Sequence, residues 1–257
     1  MLLAIDVGNT HNVIGLFSGA KLITHWRIRT EKNRTADEYW VLIKEFILLN
    51  GVEAETIDSI VVACMTPPLV PIIEEMGKKY FSCKPLIVGP GTKTGISILY
   101  KNPSEVGADR IVNAVAGYEK YGGPLIIVDF GTATTFDAVS AKGEYLGGAI
   151  CPGVQVLLDA LFEKTAKLPR VDLSRPKNVI GKSTVESIQS GTIFGYSGMV
   201  DVMVAKMKAE MGVPAKVIAT GGISGWMAEQ SESIELTDPF LTLEGLRLIY
   251  DKNKIPE

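Results

Sequence analysis

Histidine is nearly missing from this 257-residue chain, which carries only His11 and His25. Its three cysteines, Cys64, Cys83 and Cys151, lie far apart. Neither set offers a spacing such as C-x-x-C or H-x-x-x-H, so no zinc site is expected, and a histidine-centred triad has almost nothing to draw on. An odd number of dispersed cysteines also speaks against a disulfide framework and for a reducing compartment. Positive charge is not in excess: 26 basic against 29 acidic residues give a sequence pI near 5.6. Neutralising a nucleic-acid backbone is therefore not an expected task. Long apolar runs are absent as well. The opening Met1–Ile5 meets Asp6 far short of a signal-peptide apolar region, and no stretch approaches the roughly 20 apolar residues of a membrane helix. What remains is an expected soluble, cytoplasmic enzyme or small-molecule binder, whose acid–base chemistry has to come from carboxylates.

What is present is a core-forming chain, 46% apolar, long enough for one large domain or two small ones. Short alternating runs at 2–7, 13–17 and 22–28, split by Gly-Asn and Ser-Gly turn signals, predict a three-stranded antiparallel meander. Thr35 and Glu38 have the spacing of a capping box and open a helix that Asn50-Gly51 stops. A strand at 57–63, a helix opened by Pro67-Pro68 and running to Tyr80, and short strands at 85–88 and 96–100 follow. A helix is predicted over 107–121, and others over 153–162, 183–211 (with a second capping box, Ser183 to Glu186) and 241–250. A strand at 216–219 leads into the tight turn Thr220-Gly221-Gly222 and a short helix, while 168–181 reads as mostly irregular.

The opening pattern returns at an offset of 123 residues. Leu125-Ile126-Ile127-Val128-Asp129-Phe130-Gly131-Thr132 lies over Leu2-Leu3-Ala4-Ile5-Asp6-Val7-Gly8-Asn9, and the turn at 141–143 lies over that at 18–20. Matching strand and turn lengths predict an internal duplication, with domains at 1–118 and 119–257 whose Asp-x-Gly turns line a common cleft. Gly8 and Gly131 allow backbone N–H groups to approach an anion closely. Asn9, Thr10, Thr132, Thr134 and Thr135 offer further donors for phosphate oxygens. Asp6 and Asp129 would repel phosphate unless a divalent cation, Mg²⁺ with its water shell, lies between. Each turn alone could be an ordinary hairpin; the pair points to a nucleotide. Thr220-Gly221-Gly222 could add flat contact with a base or ribose, or simply start a helix.

Together, Asp6-x-Gly8-Asn9-Thr10, Asp129-x-Gly131-Thr132-x-x-Thr135 and Thr220-Gly221-Gly222 resemble the two phosphate motifs and the adenosine motif of the acetate and sugar kinase/Hsp70/actin superfamily. Gly107-Ala108-Asp109-Arg110 followed by Asn113 and Ala114, with the Gly147-to-Gly153 stretch, is similar to type III pantothenate kinases. The resemblance implies two duplicated α/β ribonuclease H-like domains with ATP in the cleft. It also implies phosphorylation of the 4′-hydroxyl of pantothenate, the first step of coenzyme A biosynthesis, by a homodimer. The implied ATP-binding set is Asp6, Val7, Gly8, Asn9, Thr10, His11, Asn12 and Val13, with Thr132, Gly221 and Gly222. Substrate contacts are implied for Tyr100, Gly107, Ala108, Asp109, Arg110 and Thr184, and a K⁺ or NH₄⁺ ion at Asp129, with Mg²⁺ reached from Asp6 through water.

Asp109 is the expected base, because histidines are scarce and a helix start keeps a carboxylate ionised; Arg110 suits the anionic acceptor. His11 reads either as a phosphate contact or as a turn residue, Tyr100 as a substrate contact or a rim aromatic, and Thr184 as a substrate contact or a helix cap. Gly191, Gly195 and Gly198 allow a close helix contact, within the chain or with a second copy. Two other functions remain open at this point: a kinase for a sugar, acetate or another hydroxyl compound, and a non-catalytic regulator on the same fold.

Overall fold

The computed structural model describes residues 1–254. Its first strands are β1 (Leu2–Val7), β2 (His11–Ser18) and β3 (Lys21–Arg29), followed by helix α1 (Ala36–Leu49). The Thr35 capping box forms in full: the Thr35 hydroxyl accepts from the Glu38 N–H and the Glu38 carboxylate from the Thr35 N–H. Next come β4 (Ser59–Cys64), a 3₁₀ turn at Pro67–Leu69, α2 (Val70–Tyr80), β5 (Leu86–Ile87), β6 (Ser97–Ile98) and α3 (Ala108–Tyr121). The second meander is β7 (Leu125–Phe130), β8 (Ala133–Val139) and β9 (Glu144–Pro152). Helices α4 (Val154–Lys164) and α5 (Thr184–Met211), strand β10 (Lys216–Gly221), α6 (Ser224–Ala228), β11 (Leu236–Thr237) and α7 (Leu241–Asn253) complete the order.

The duplication is visible in the strands. β7 and β9 begin and end at the 123-residue offset from β1 and β3, and only the middle strand shifts, because the second turn is shorter. The first sheet has the order β3-β2-β1-β4-β5. The second repeats it as β9-β8-β7-β10-β11 and adds β6 beyond β9. In both, the outer meander is antiparallel and the central strand pairs in parallel with the next (β1 with β4, β7 with β10). This is the expected duplicated ribonuclease H-like architecture.

Strand alternation decides which residues meet the helices. In the first unit Leu3, Ile5, Val7, Ile14 and Leu16 share a core with Tyr39, Ile43 and Ile47 of α1 and Ile73 and Met76 of α2. In the second, Ile126, Val128, Phe130 and Phe136 pack with Val154 of α4, Tyr196, Val200 and Val204 of α5, and Met227 of α6. Each aliphatic side chain so buried contributes about 1.5–3 kcal/mol.

The division into units differs from a single cut at 118. Unit one comprises 1–96, 101–116 and 241–257; unit two comprises 97–100 and 117–240. Helix α7 is thus part of the first unit, where Leu243 covers Gly15 of β2 and the helix lies along β1, β2 and β4. Its buried Leu241, Leu243, Leu246 and Ile249 need an apolar sheet face, and periodicity alone does not say which. Segment 97–100 joins the second unit because β6 pairs with β9. The second capping box is only half made: the Ser183 hydroxyl accepts from the Glu186 N–H, but the Glu186 carboxylate takes the Lys182 N–H instead.

Candidate active site

The first turn sits where β1 ends. The Gly8 N–H donates to the His11 carbonyl (3.1 Å), and the Gly8 carbonyl accepts from the Thr30 hydroxyl (2.8 Å). With that carbonyl held by Thr30, Asn9 and Thr10 are left at the exposed tip of the turn. Val7 is buried, and Val13 is half-buried with its backbone in the sheet. His11 is exposed, and its imidazole pKa is lowered by partial burial and by the charges of Arg27 and Arg29.

Asn12 takes a different place from the one expected. It is fully buried, on the same face as Ile14 and Leu16, with its Nδ2 donating to the Tyr39 hydroxyl (2.8 Å) and its Oδ1 accepting from Thr30 (2.7 Å). Its side chain therefore holds the turn from beneath. The second unit repeats the device: buried Thr134 meets the Tyr196 hydroxyl (2.6 Å), which also reaches the Pro152 carbonyl (2.8 Å). Burial raises both phenol pKa values, so both tyrosines stay neutral. Tyr39 and Tyr196 were not anticipated, although Asn12 and Thr134 each sit at a core-facing position of an alternating strand, and a polar residue there demands a partner. Replacing Tyr39 with Phe leaves the Asn12 amide without that partner and is expected to lower stability by about 1–3 kcal/mol, measured by urea denaturation; an unchanged midpoint contradicts the assignment.

Thr134 and Thr135 also change roles. Thr134 points into the core, and the Thr135 hydroxyl donates to the Asp137 carboxylate (2.9 Å), which accepts from the Tyr145 hydroxyl as well (2.8 Å). Neither is the outward donor expected of it. Thr132 remains at the exposed tip of its turn, its carbonyl accepting from the Gly153 N–H (3.0 Å).

Asp129 and the glycine motif come together. Thr220 and Gly221 pair with Asp129 and Phe130 across the parallel ladder, and the Gly222 N–H donates to the Phe130 carbonyl (3.2 Å). Gly221 has φ +91°, and a Cβ there would lie 2.5 Å from the Phe130 carbonyl oxygen and 2.7 Å from Asp129 Oδ1. The missing side chain leaves a notch bounded by a carboxylate and a carbonyl oxygen, donors that fit a hard cation. Asp6 and Asp129 are both half-buried at strand ends. Among the described residues no cluster of three acidic, histidine or cysteine side chains occurs.

Asp109 lies in the first turn of α3. Its Oδ1 accepts from the Arg110 N–H (2.8 Å), and a Cβ at Gly107 would fall 2.5 Å from that same Oδ1. Glycine there makes room for the carboxylate, with Ala108 intervening at the helix start. The helix start is not the only influence on Asp109: burial raises its pKa, and the Arg110 N–H and charge only partly offset this. Arg110 itself is buried. Tyr100 is half-buried in the second unit, its ring near Gly147 and tilted against Tyr145 at 6.4 Å. Thr184 is exposed at the first position of α5, and the cap is Ser183.

Known proteins resemble this chain over most of its length. A family model for type III pantothenate kinase matches residues 2–206. The type III pantothenate kinase of Myxococcus xanthus (strain DK1622) is 53% identical over 253 residues, covering 98% of this chain and 99% of the relative. That of Anaeromyxobacter sp. (strain Fw109-5) is 54% identical over 254 residues, covering 99% and 100%. Among solved structures, the ROK hexokinase of Thermus thermophilus shares the fold at 13% identity, with a TM-score of 0.52 and coverage of 98% and 99%. With a matching model over most of its length and relatives above 50% identity end to end, the chain belongs to the type III pantothenate kinase family.

Proposed function

We propose that the chain transfers the γ-phosphoryl group of ATP to the 4′-hydroxyl of pantothenate, opening coenzyme A biosynthesis, with Asp109 as the base. The observation that carries this is the half-buried carboxylate of Asp109, given room by Gly107 and raised in pKa, in a chain that repeats an Asp-x-Gly turn in each unit. In the first unit Asp6, Gly8, Asn9 and Thr10 serve the phosphates, His11 contributes its backbone, and Val7, Asn12 and Val13 support the turn. In the second, Thr132 contacts phosphate and Gly221 and Gly222 contact the nucleoside. Arg110 and Tyr100 bind pantothenate, with Gly107 and Ala108 shaping its place and Thr184 reaching it at the start of α5.

Asp129 would hold K⁺ or NH₄⁺ and Asp6 would serve Mg²⁺ through its water shell, and these ions would supply positive charge against that of the triphosphate. Asp109 orients the hydroxyl and accepts its proton late, as a loose phosphoryl-transfer transition state requires. The enzyme is a cytoplasmic homodimer in this reading. No helix among the described residues is long and apolar enough to cross a membrane. Support for the dimer comes from α5, where Gly191, Gly195 and Gly198 are glycines at which an added Cβ would meet open space among the described residues, room for a second helix to approach closely.

A coupled ADP-release assay with ATP, Mg²⁺ and K⁺ tests the acceptor across pantothenate, acetate and hexoses. Turnover with pantothenate alone is the expected result. No response to pantothenate, or an equal response to a sugar, overturns the proposal.

A further inference from the structure

We propose that Arg27 and Arg29, on β3, are phosphate-binding residues that clamp the triphosphate of ATP from the flank of the first turn. The inference rests on the ATP reading above and adds residues that none of the motifs contains.

The geometry comes from the sheet register. Arg29 pairs with His11 and Arg27 with Val13, and Val13 pairs in turn with Asp6. Residues directly opposite in a ladder share a face. Arg27, Val13 and Asp6 therefore form one row, and Arg29 and His11 the next row toward the turn. Helix α7 covers this same face lower down, where Leu243 sits on Gly15. The turn end stays open: His11, Arg27 and Arg29 are exposed. Two strand spacings put the Arg27 backbone about 10 Å from that of Asp6, a gap that a long guanidinium-bearing side chain can largely close by leaning across Val13.

The chemistry is that of an anion receptor. Neither guanidinium has a carboxylate partner among the described residues. Two permanent positive charges, each with a planar fork of donors suited to phosphate, stand beside a turn whose tip is exposed. Their field already reaches the turn, since after burial they are what lowers the His11 pKa. Charge on the transferring group spreads over its equatorial oxygens, and the Asp6 carboxylate on the same row makes positive neighbours necessary there. Charged residues on an outer strand also block strand-to-strand aggregation. Lys21 is a charge at the far end of the same strand, away from the turn, and so separates the two roles.

The test uses the full chain with Arg27→Gln, Arg29→Gln, the double variant, and Lys21→Gln as a control. Steady-state kinetics are combined with calorimetric binding of a non-hydrolysable ATP analogue, adenosine and inorganic tripolyphosphate. Each single change is expected to lower kcat/KM for ATP about tenfold, the loss of one charge-assisted contact, and the double about 100-fold. Analogue and tripolyphosphate binding should weaken in parallel, while adenosine binding, the pantothenate KM and Lys21→Gln stay unchanged. A folded double variant with wild-type analogue binding overturns the inference. So does a loss confined to the pantothenate KM, which moves the arginines to the acceptor carboxylate, or reduced solubility with unchanged kinetics, which leaves them as edge guards. If the wild type binds the ATP analogue but does not phosphorylate pantothenate, the proposed function fails and the clamp is still decided by the binding series.

Discussion

Asp109→Asn is expected to lower kcat by about 10²–10⁴-fold, the usual range for losing a positioned acid–base group, while ATP-analogue binding survives. The same substitution should raise the melting temperature. Burial raises the pKa of Asp109, so the folded state disfavours the ionised form relative to the unfolded chain. The sign follows from linkage. Below the ordinary carboxylate pKa both states are protonated and nothing is lost. Between the ordinary carboxylate pKa, where the unfolded chain ionises, and the raised folded pKa the cost of the charge grows, and above the folded pKa it is complete. An uncharged amide removes that cost, so the variant should be more stable at pH 7 and lose the advantage in acid. Wild-type turnover should correspondingly fall on the acid side at a pH above the ordinary aspartate value of about 3.9. Thermal melts at two pH values and a pH–rate profile check both; a variant with near wild-type turnover removes Asp109 from the chemistry.

Gly221→Ala should be the most damaging change outside Asp109. The residue has φ +91°, a conformation that costs a side-chain-bearing residue about 1–3 kcal/mol. Its Cβ would also press on the Phe130 carbonyl and the Asp129 carboxylate. The first of these is ladder backbone and cannot swing aside, so β10 must move away from β7. A displacement of this kind is expected to cost about 10²-fold in turnover, together with a fall in the melting temperature and a loss of the response to added K⁺. Retained K⁺ activation in a stable variant would show that the notch beside Asp129 is not the cation's place.

Most of the architecture was legible in the sequence because it is written twice. A 123-residue offset placed β7 and β9 on β1 and β3, and turn chemistry set the strand ends. Two-residue strands such as β11 carry too little pattern to be read, and the allegiance of α7 is a choice between two apolar sheet faces that amphipathicity does not make. Asp6, Asp129 and Gly221 could be named from motif spacing, which sets their places at the ends of β1, β7 and β10. Side-chain direction was harder. Asn12, Thr134 and Thr135 are hydrogen-bonding residues beside the Asp-x-Gly turns, yet alternation sends the first two into the core and Asp137 claims the third. The pKa of Asp109 is hard to read for a related reason: a helix start lowers it, but burial, which no local pattern reveals, outweighs that effect.

The placement of α7 has a consequence for how the protein is made. The strands of the first unit are synthesised before the second unit, but the helix that covers their other face comes after it. The second unit, between 117 and 240, is complete before it. Vectorial synthesis therefore delivers the units in reverse order of their numbering: the later one can close first, while the earlier one waits with an apolar sheet face uncovered. A contact such as Gly15 with Leu243 spans nearly the whole chain, the kind of long-range closure that folds slowly and leaves the nascent chain dependent on protection from aggregation.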